Sequence, residues 1–255
     1  MGANYTFLVS TLLQFTLFQL LLTPFPLHWD IPGCVYLDVS LNGEQVYVTC
    51  GLQGISIINT ATNQVALNAI PTPAGSQQIA LTPNGQTAYV STFNDSVQAI
   101  DLAKGKVKAT IRLPDTSIGG PARYLTVSPN GKRLFIYYQT GKNPNQPPKQ
   151  NVILVTDTTT NKVIKKIPSG ELGQAGQTGL TPDGKFLYAP IGFLSTPGSA
   201  VLMLDTATNK IADSIGLAGY LQALAVAPTA PFACAIGIYG NNDEGEAYVI
   251  DISPE

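Results

Sequence analysis

The 255-residue sequence is short of charge. Its 14 Lys+Arg and 16 Asp+Glu make up 12% of the chain and leave a net charge of −2. That is about half the charged share of an ordinary soluble domain. With 44% hydrophobic residues the chain is no disordered polymer. It also lacks the basic excess that phosphate neutralisation needs, so nucleic acid is not an expected partner. The sole histidine, His28, has no second His or Cys at metal-ligand spacing. Cys34, Cys50 and Cys234 form no C-x-x-C motif, and an odd number leaves their pairing open. There is no nucleophile elbow, phosphate-binding loop or dinucleotide fingerprint. No cofactor, metal or catalytic residue is therefore expected.

What the chain does have begins with an uncharged run. Tyr5 to Leu22 is rich in Leu and Phe, and no Lys or Arg occurs before Lys104. Its length suits a signal-peptide core or a short membrane anchor. Residues 1–24 are read as such a leader, and 25–255 as one domain. The leader implies an extracytoplasmic location: periplasmic, secreted or on the surface. Membrane contact is expected only through residues 5–22, if they are retained.

The rest is repetitive. A tight turn recurs as Leu41-Asn42-Gly43, Pro83-Asn84-Gly85, Pro129-Asn130-Gly131 and Pro182-Asp183-Gly184, with a degenerate copy at Pro228-Thr229-Ala230-Pro231. Four residues after each glycine stands an aromatic: Tyr47, Tyr89, Phe135 and Tyr188. Cys234 takes that place in the fifth copy and reads as a core residue. Each copy continues with an apolar run ending at Asn59, Asp101, Asp157, Asp205 or Asp251, whose side chains are suited to capping the following turn. A fourth run completes most copies. Four short strands per 40–50 residues describe a β-propeller blade.

The segments Ile79-Ala80-Leu81-Thr82-Pro83-Asn84-Gly85-Gln86-Thr87-Ala88-Tyr89-Val90-Ser91-Thr92 and Asp205-Thr206-Ala207-Thr208-Asn209-Lys210-Ile211 resemble the YVTN-type β-propeller repeat. The resemblance covers residues 26–255. It implies an all-β, WD40-like ring of four-stranded antiparallel blades, about five here against a family norm of seven. The fifth copy lacks its last strand. Leu27–Gly33 can be laid over Val163–Ser169, and residues 26–31 are expected to supply that strand, pairing the two chain ends. An open arc is the alternative.

On such a scaffold, binding is expected on the face carrying the long, unequal b–c loops. The channel mouth there should be lined by Gln77 or Gln78, Arg123, Gln177 and Gln222, a set suited to an anion or polar ligand. Lys142, Asn143 and Lys149 add a mildly basic loop. The expected function is a non-catalytic binding or interaction scaffold for an unknown protein or small polar ligand. The alternative is a propeller enzyme. Similar folds include lactonases resembling 6-phosphogluconolactonase and the heavy subunits of quinone-dependent amine dehydrogenases.

Overall fold

The computed structural model describes residues 33–114, 124–140, 150–171, 176–192, 199–218, 220–239 and 244–252. They form five antiparallel sheets in chain order. Blade 1 holds β1 (Tyr36–Val39), β2 (Gln45–Thr49), β3 (Ile55–Asn59) and β4 (Val65–Ile70). Blade 2 holds β5 (Ile79–Leu81), β6 (Thr87–Ser91), β7 (Ser96–Asp101) and β8 (Lys106–Arg112). Blade 3 holds β9 (Tyr124–Val127), β10 (Arg133–Gln139), β11 (Gln150–Asp157) and β12 (Lys162–Glu171). Blade 4 holds β13 (Gly179–Leu180), β14 (Phe186–Gly192), β15 (Ser199–Asp205) and β16 (Lys210–Leu217). Blade 5 has three strands among the described residues: β17 (Tyr220–Val226), β18 (Phe232–Tyr239) and β19 (Glu244–Asp251). The chain is thus an all-β propeller. The proposed leader and closing strand, residues 1–31, lie outside the described residues.

Local chemistry explains each turn. The first-to-second-strand turn opens on a hydroxyl residue: Ser40, Thr82, Ser128 or Thr181. Its oxygen accepts the backbone N–H five residues on, at 2.9–3.1 Å. Its carbonyl accepts the turn glycine N–H at 2.7–2.9 Å. Those glycines, Gly43, Gly85, Gly131 and Gly184, hold φ between +66° and +73°, where a Cβ is strained. The third-to-fourth-strand turn is capped as the sequence implies. Asn59, Asp157 and Asp205 each accept two backbone N–H bonds through Oδ1, and Asp101 accepts one from Lys104. The left-handed corner four residues after the cap is Asn63, Gly105, Asn161 or Asn209, residues that tolerate this conformation.

Blades stack through apolar faces. The repeated aromatic lies on the face turned to the next blade. Tyr47 shares a buried cluster with Ile79, Ala88, Val90 and Ile100, Tyr89 with Leu125, Leu134 and Ile136, Phe135 with Leu187, Ala189 and Leu204, and Tyr188 with Leu224, Ala233 and Ala235. Where the aromatic carries a hydroxyl, it can also lock the neighbour's turn. Tyr89 donates to Asn161 Oδ1 at 2.8 Å. The turn prolines repeat the stacking at the rim, where Pro129 Cδ lies 3.1 Å from the position of a Cβ on Gly184.

Cys234 departs from the core role read from the sequence. It is free and only partly buried. Its cross-strand partner Val249 is 75% exposed and nearby Phe232 is 41% exposed. The reason is positional: this face of blade 5 corresponds to the aromatic face of the other blades, and no sixth sheet follows among the described residues. The other two cysteines form the disulfide Cys34–Cys50. It ties the start of β1 to the Gly51–Gln53 turn and, closing a short loop, restricts the unfolded chain by about 3 kcal/mol.

Gly54 joins blade 1 to the linker before blade 2. Ser76 donates its hydroxyl to Gly54 O at 3.0 Å. At φ +96° a Cβ on Gly54 would stand 2.5 Å from Ile70 O, backbone that cannot give way. Gly54→Ala is expected to lower stability by about 3 kcal/mol, against about 1 kcal/mol for Gly43→Ala, whose Cβ meets open space. Urea unfolding midpoints of the two variants, with unchanged slope, check the ranking.

Candidate functional site

The innermost strands set the site. Each has one edge paired with its blade and one edge turned to the channel. Flanking β5, Gln78 and Thr82 pair with the β6 side through Ser91 N→Gln78 O and Thr82 N→Thr87 O, so Leu81 between them turns its N–H to the free edge. A free N–H there must find a partner or pay a desolvation cost. The partner comes from the previous blade. Asp38 Oδ2 accepts Leu81 N–H at 2.7 Å. Gln78 Oε1 accepts Leu125 N–H. Thr126 and Thr178 share a hydroxyl–hydroxyl bond of 2.6 Å. A girdle of polar side chains therefore runs from blade 1 to blade 4 along the channel.

Counting back seven residues from each turn glycine gives the mouth-side ring: Tyr36, Gln78, Tyr124 and Gln177. Gln78 is almost fully buried; the other three are partly exposed. The Tyr36 and Tyr124 phenols, from blades 1 and 3, are hydrogen-bonded to each other. Burial raises the pKa of both, and the Tyr36 bond raises that of Tyr124 further, so both stay protonated at neutral pH. Fully buried Tyr137 stands behind them and donates to Pro190 O at 3.3 Å; burial raises its pKa as well.

Asp38 lies one step deeper on the same face of β1 as Tyr36. Its oxygens are held by Val39 N at 2.8 Å and Leu81 N at 2.7 Å. Desolvation outweighs these bonds and pushes its pKa to about 6. No cation among the described residues offsets its charge. The turn aspartates behave oppositely: backbone N–H bonds hold Asp101, Asp157 and Asp205 below their ordinary value, and the Thr181 hydroxyl does so for Asp183.

Of the residues read from the sequence, Gln78 and Gln177 stand at the same ring position in blades 2 and 4. Gln222 is the bulge residue of β17, between the paired Leu221 and Ala223. Arg123, Lys142, Asn143 and Lys149 lie outside the described residues, as does most of each long loop. Tyr36, Asp38 and Tyr124 were not singled out. The signal that finds them is the fixed offset from the turn glycine. Among the described residues, no group of three or more His, Cys, Asp or Glu could hold a metal ion.

A crevice of about 340 Å³ opens on the other rim, between the turns of blades 3 and 4. Ser128, Asn130, Arg133, Asp183 and Thr206 line it. Its turn oxygens are already engaged: Asn130 Oδ1 accepts from Ser128 and Lys132, and Asp183 Oδ1 from Thr181 and Lys185. It is the weaker candidate.

No family model matches the chain, and no curated protein matches it. Among solved structures the chain is similar to Kuenenia stuttgartiensis hydrazine synthase, with a TM-score of 0.71 and 17% identity. The match covers 91% of this chain and 66% of that one, so the chain spans just under two thirds of its length. With 1435 solved chains matching, the likeness establishes the propeller fold and selects no activity.

The raised pKa of Asp38 has a stability consequence. Its folded value exceeds its unfolded one, so the stability it contributes is complete below about pH 4 and is lost as pH rises through about 6. Between pH 4 and 7 the unfolding free energy is expected to fall by up to about 3 kcal/mol through this group. Asp38→Asn should flatten that window. The turn aspartates, whose values are lowered, act only as pH falls further. Urea titrations of both proteins at half-unit pH steps measure the difference in slope.

Proposed function

We propose that the protein is a binding propeller, exported or surface-associated, that takes a small polar ligand or a partner's polar group at the mouth of its channel. The observation that carries this reading is the convergence of Tyr36, Gln78, Tyr124 and Gln177 from four successive blades. Convergent polar groups on rigid strands are pre-organised for recognition. The long b–c loops on the same rim would add partner-specific contacts, with Lys142, Asn143 and Lys149 as candidates, and Arg123 would sit beside Tyr124. The YVTN-type repeat resemblance and the leader support an extracytoplasmic role. The Cys34–Cys50 disulfide is consistent with an oxidising compartment.

One observation favours an enzyme as the second reading. A channel-edge carboxyl whose burial pushes its pKa to about 6 is equipped for general acid–base chemistry. A lactonase-like hydrolase is the form this would take.

Two measurements separate the readings. In a thermal-shift panel of polar metabolites, a compound that raises the wild-type Tm by 2 °C or more is expected to leave a Tyr36→Ala/Gln177→Ala variant unshifted. Equal shifts in both proteins would remove the channel mouth as the site. For the enzyme, lactone hydrolysis should fall at least 100-fold in Asp38→Asn; background rates in both proteins would eliminate that reading.

A further inference from the structure

The net charge of −2 hides a segregation, which the outermost strand of each blade displays. β4 carries no charge, and β16 carries one of each sign, Lys210 and Asp213. β8 holds Lys106, Lys108 and Arg112 with no acid. β12 holds Lys162, Lys165 and Lys166 and ends on Glu171. β19, the outermost described strand of blade 5, has Glu244, Glu246 and Asp251 and no cation. One flank of the propeller, spread over two neighbouring blades, is therefore basic, and another is acidic. Lysines on edge strands discourage edge-to-edge pairing. β4 and β16 are outer edges too and carry no surplus, so edge protection does not account for the concentration on β8 and β12.

All six cations of the basic flank are exposed. The ion pairs Lys104–Asp101 and Lys185–Asp183 use none of Lys106, Arg112, Lys162 and Lys165. Lys108 turns into the groove between blades 2 and 3, where its ammonium donates to Thr87 Oγ1 at 2.7 Å. Lys166 stands opposite Leu154, which lies in the cluster shared with blade 2, so Lys166 leans towards the same groove. Aliphatic side chains stand between the cations, in the runs Lys106-Val107-Lys108 and Lys162-Val163-Ile164-Lys165. Val107 is 37% exposed, Val163 40% and Ile164 50%. Neither strand has an aromatic on which a nucleic-acid base could stack. Ammonium groups interleaved with branched aliphatics match a bilayer interface, where the former meet anionic headgroups and the latter enter the boundary layer. The shape agrees. The outer strands of two neighbouring blades touch one common plane, so a flat partner reaches both.

We propose that the β8–β12 flank docks on an anionic lipid bilayer, with Lys106, Arg112, Lys162 and Lys165 on the headgroup phosphates and Val107, Val163 and Ile164 at the acyl boundary. The acidic edge of blade 5 then faces away from the lipid, which fixes the orientation of the ring. This contact is independent of the channel mouth and of residues 5–22.

The test is sedimentation of the full chain with vesicles of phosphatidylcholine containing about 30% phosphatidylglycerol, and with vesicles of phosphatidylcholine alone, in about 0.1 M NaCl. The readout is the ratio of the two partition coefficients, in which a contribution of residues 5–22 common to both vesicles cancels. Each lysine at an anionic surface is worth about fivefold in binding. A ratio of at least tenfold is expected for the wild type, falling severalfold in about 0.5 M NaCl. Lys106→Glu/Lys165→Glu should lower the ratio at least tenfold, whereas Lys210→Glu on β16 should stay within twofold of wild type. Ile164→Ser, with unchanged charge, should weaken binding to the anionic vesicles about threefold. Circular dichroism and urea midpoints establish that each variant folds. If the double reversal does not fold, Lys106→Gln/Lys165→Gln takes its place, with a loss of at least fivefold expected. A wild-type ratio below two, an unchanged ratio in the folded double variant, an equal loss in Lys210→Glu, or full binding by Ile164→Ser overturns the proposal. Inorganic phosphate at about 10 mM and matched ionic strength should leave the ratio unchanged; if it abolishes the difference, the flank holds free phosphate and no lipid surface. A double variant that loses a short DNA duplex while keeping the vesicles assigns the flank to nucleic acid and likewise overturns the lipid reading.

Discussion

The channel-edge N–H groups of the innermost strands are the constraint on which the rest of this propeller depends. A sheet placed on edge in a ring always leaves one row of backbone donors facing inward. Here Asp38 and Gln78 each reach one blade forward to accept such a donor, at Leu81 and Leu125, and Thr126 meets Thr178 in the same manner. These bonds fix the angle between successive blades and stock the channel with polar side chains at the same time. Scaffold and site share their atoms, which is why the candidate site is rigid.

Around that girdle the blades differ mainly in how tightly each fits the next. Blades 2 and 3 carry fully buried Tyr89, Phe135 and Tyr137, and Tyr89 reaches the next blade's turn. Blade 4 narrows: a Cβ on Gly179 would lie 2.8 Å from Val226 Cγ2, so the inner strand there gives up its side chain to admit Leu224 and Val226 of blade 5. Blade 5 presents Cys234, Phe232 and Val249 on the face that elsewhere bears the aromatic. The stacking rule thus runs through four interfaces and leaves the fifth face open among the described residues.

Much of this architecture was legible along the chain. Turn glycines, their hydroxyl partners and the Asn or Asp caps act within a few residues, so their spacing reports the strands directly. The site was harder to read. Tyr36 and Tyr124 lie in different blades, and nothing local signals that their hydroxyls meet. Asp38 looks like any strand-edge aspartate until the removal of water around it is known. Cys234 occupies a core position by repeat count and is partly exposed because exposure depends on what stacks next.

By itself the sequence determined the repeat, the blade count, the strand order within each blade and the chemistry of each turn, because these follow from periodicity and from short-range hydrogen bonding. The tertiary structure alone decided which side chains converge on the channel, that Cys34 pairs with Cys50, that Asp38 holds its proton to about pH 6, and that, among the described residues, Phe232 and Val249 of the last blade are exposed. Those properties arise from contacts between blades. A contact between blades is set by how flat sheets are rotated around an axis, and no stretch of a single strand encodes that rotation.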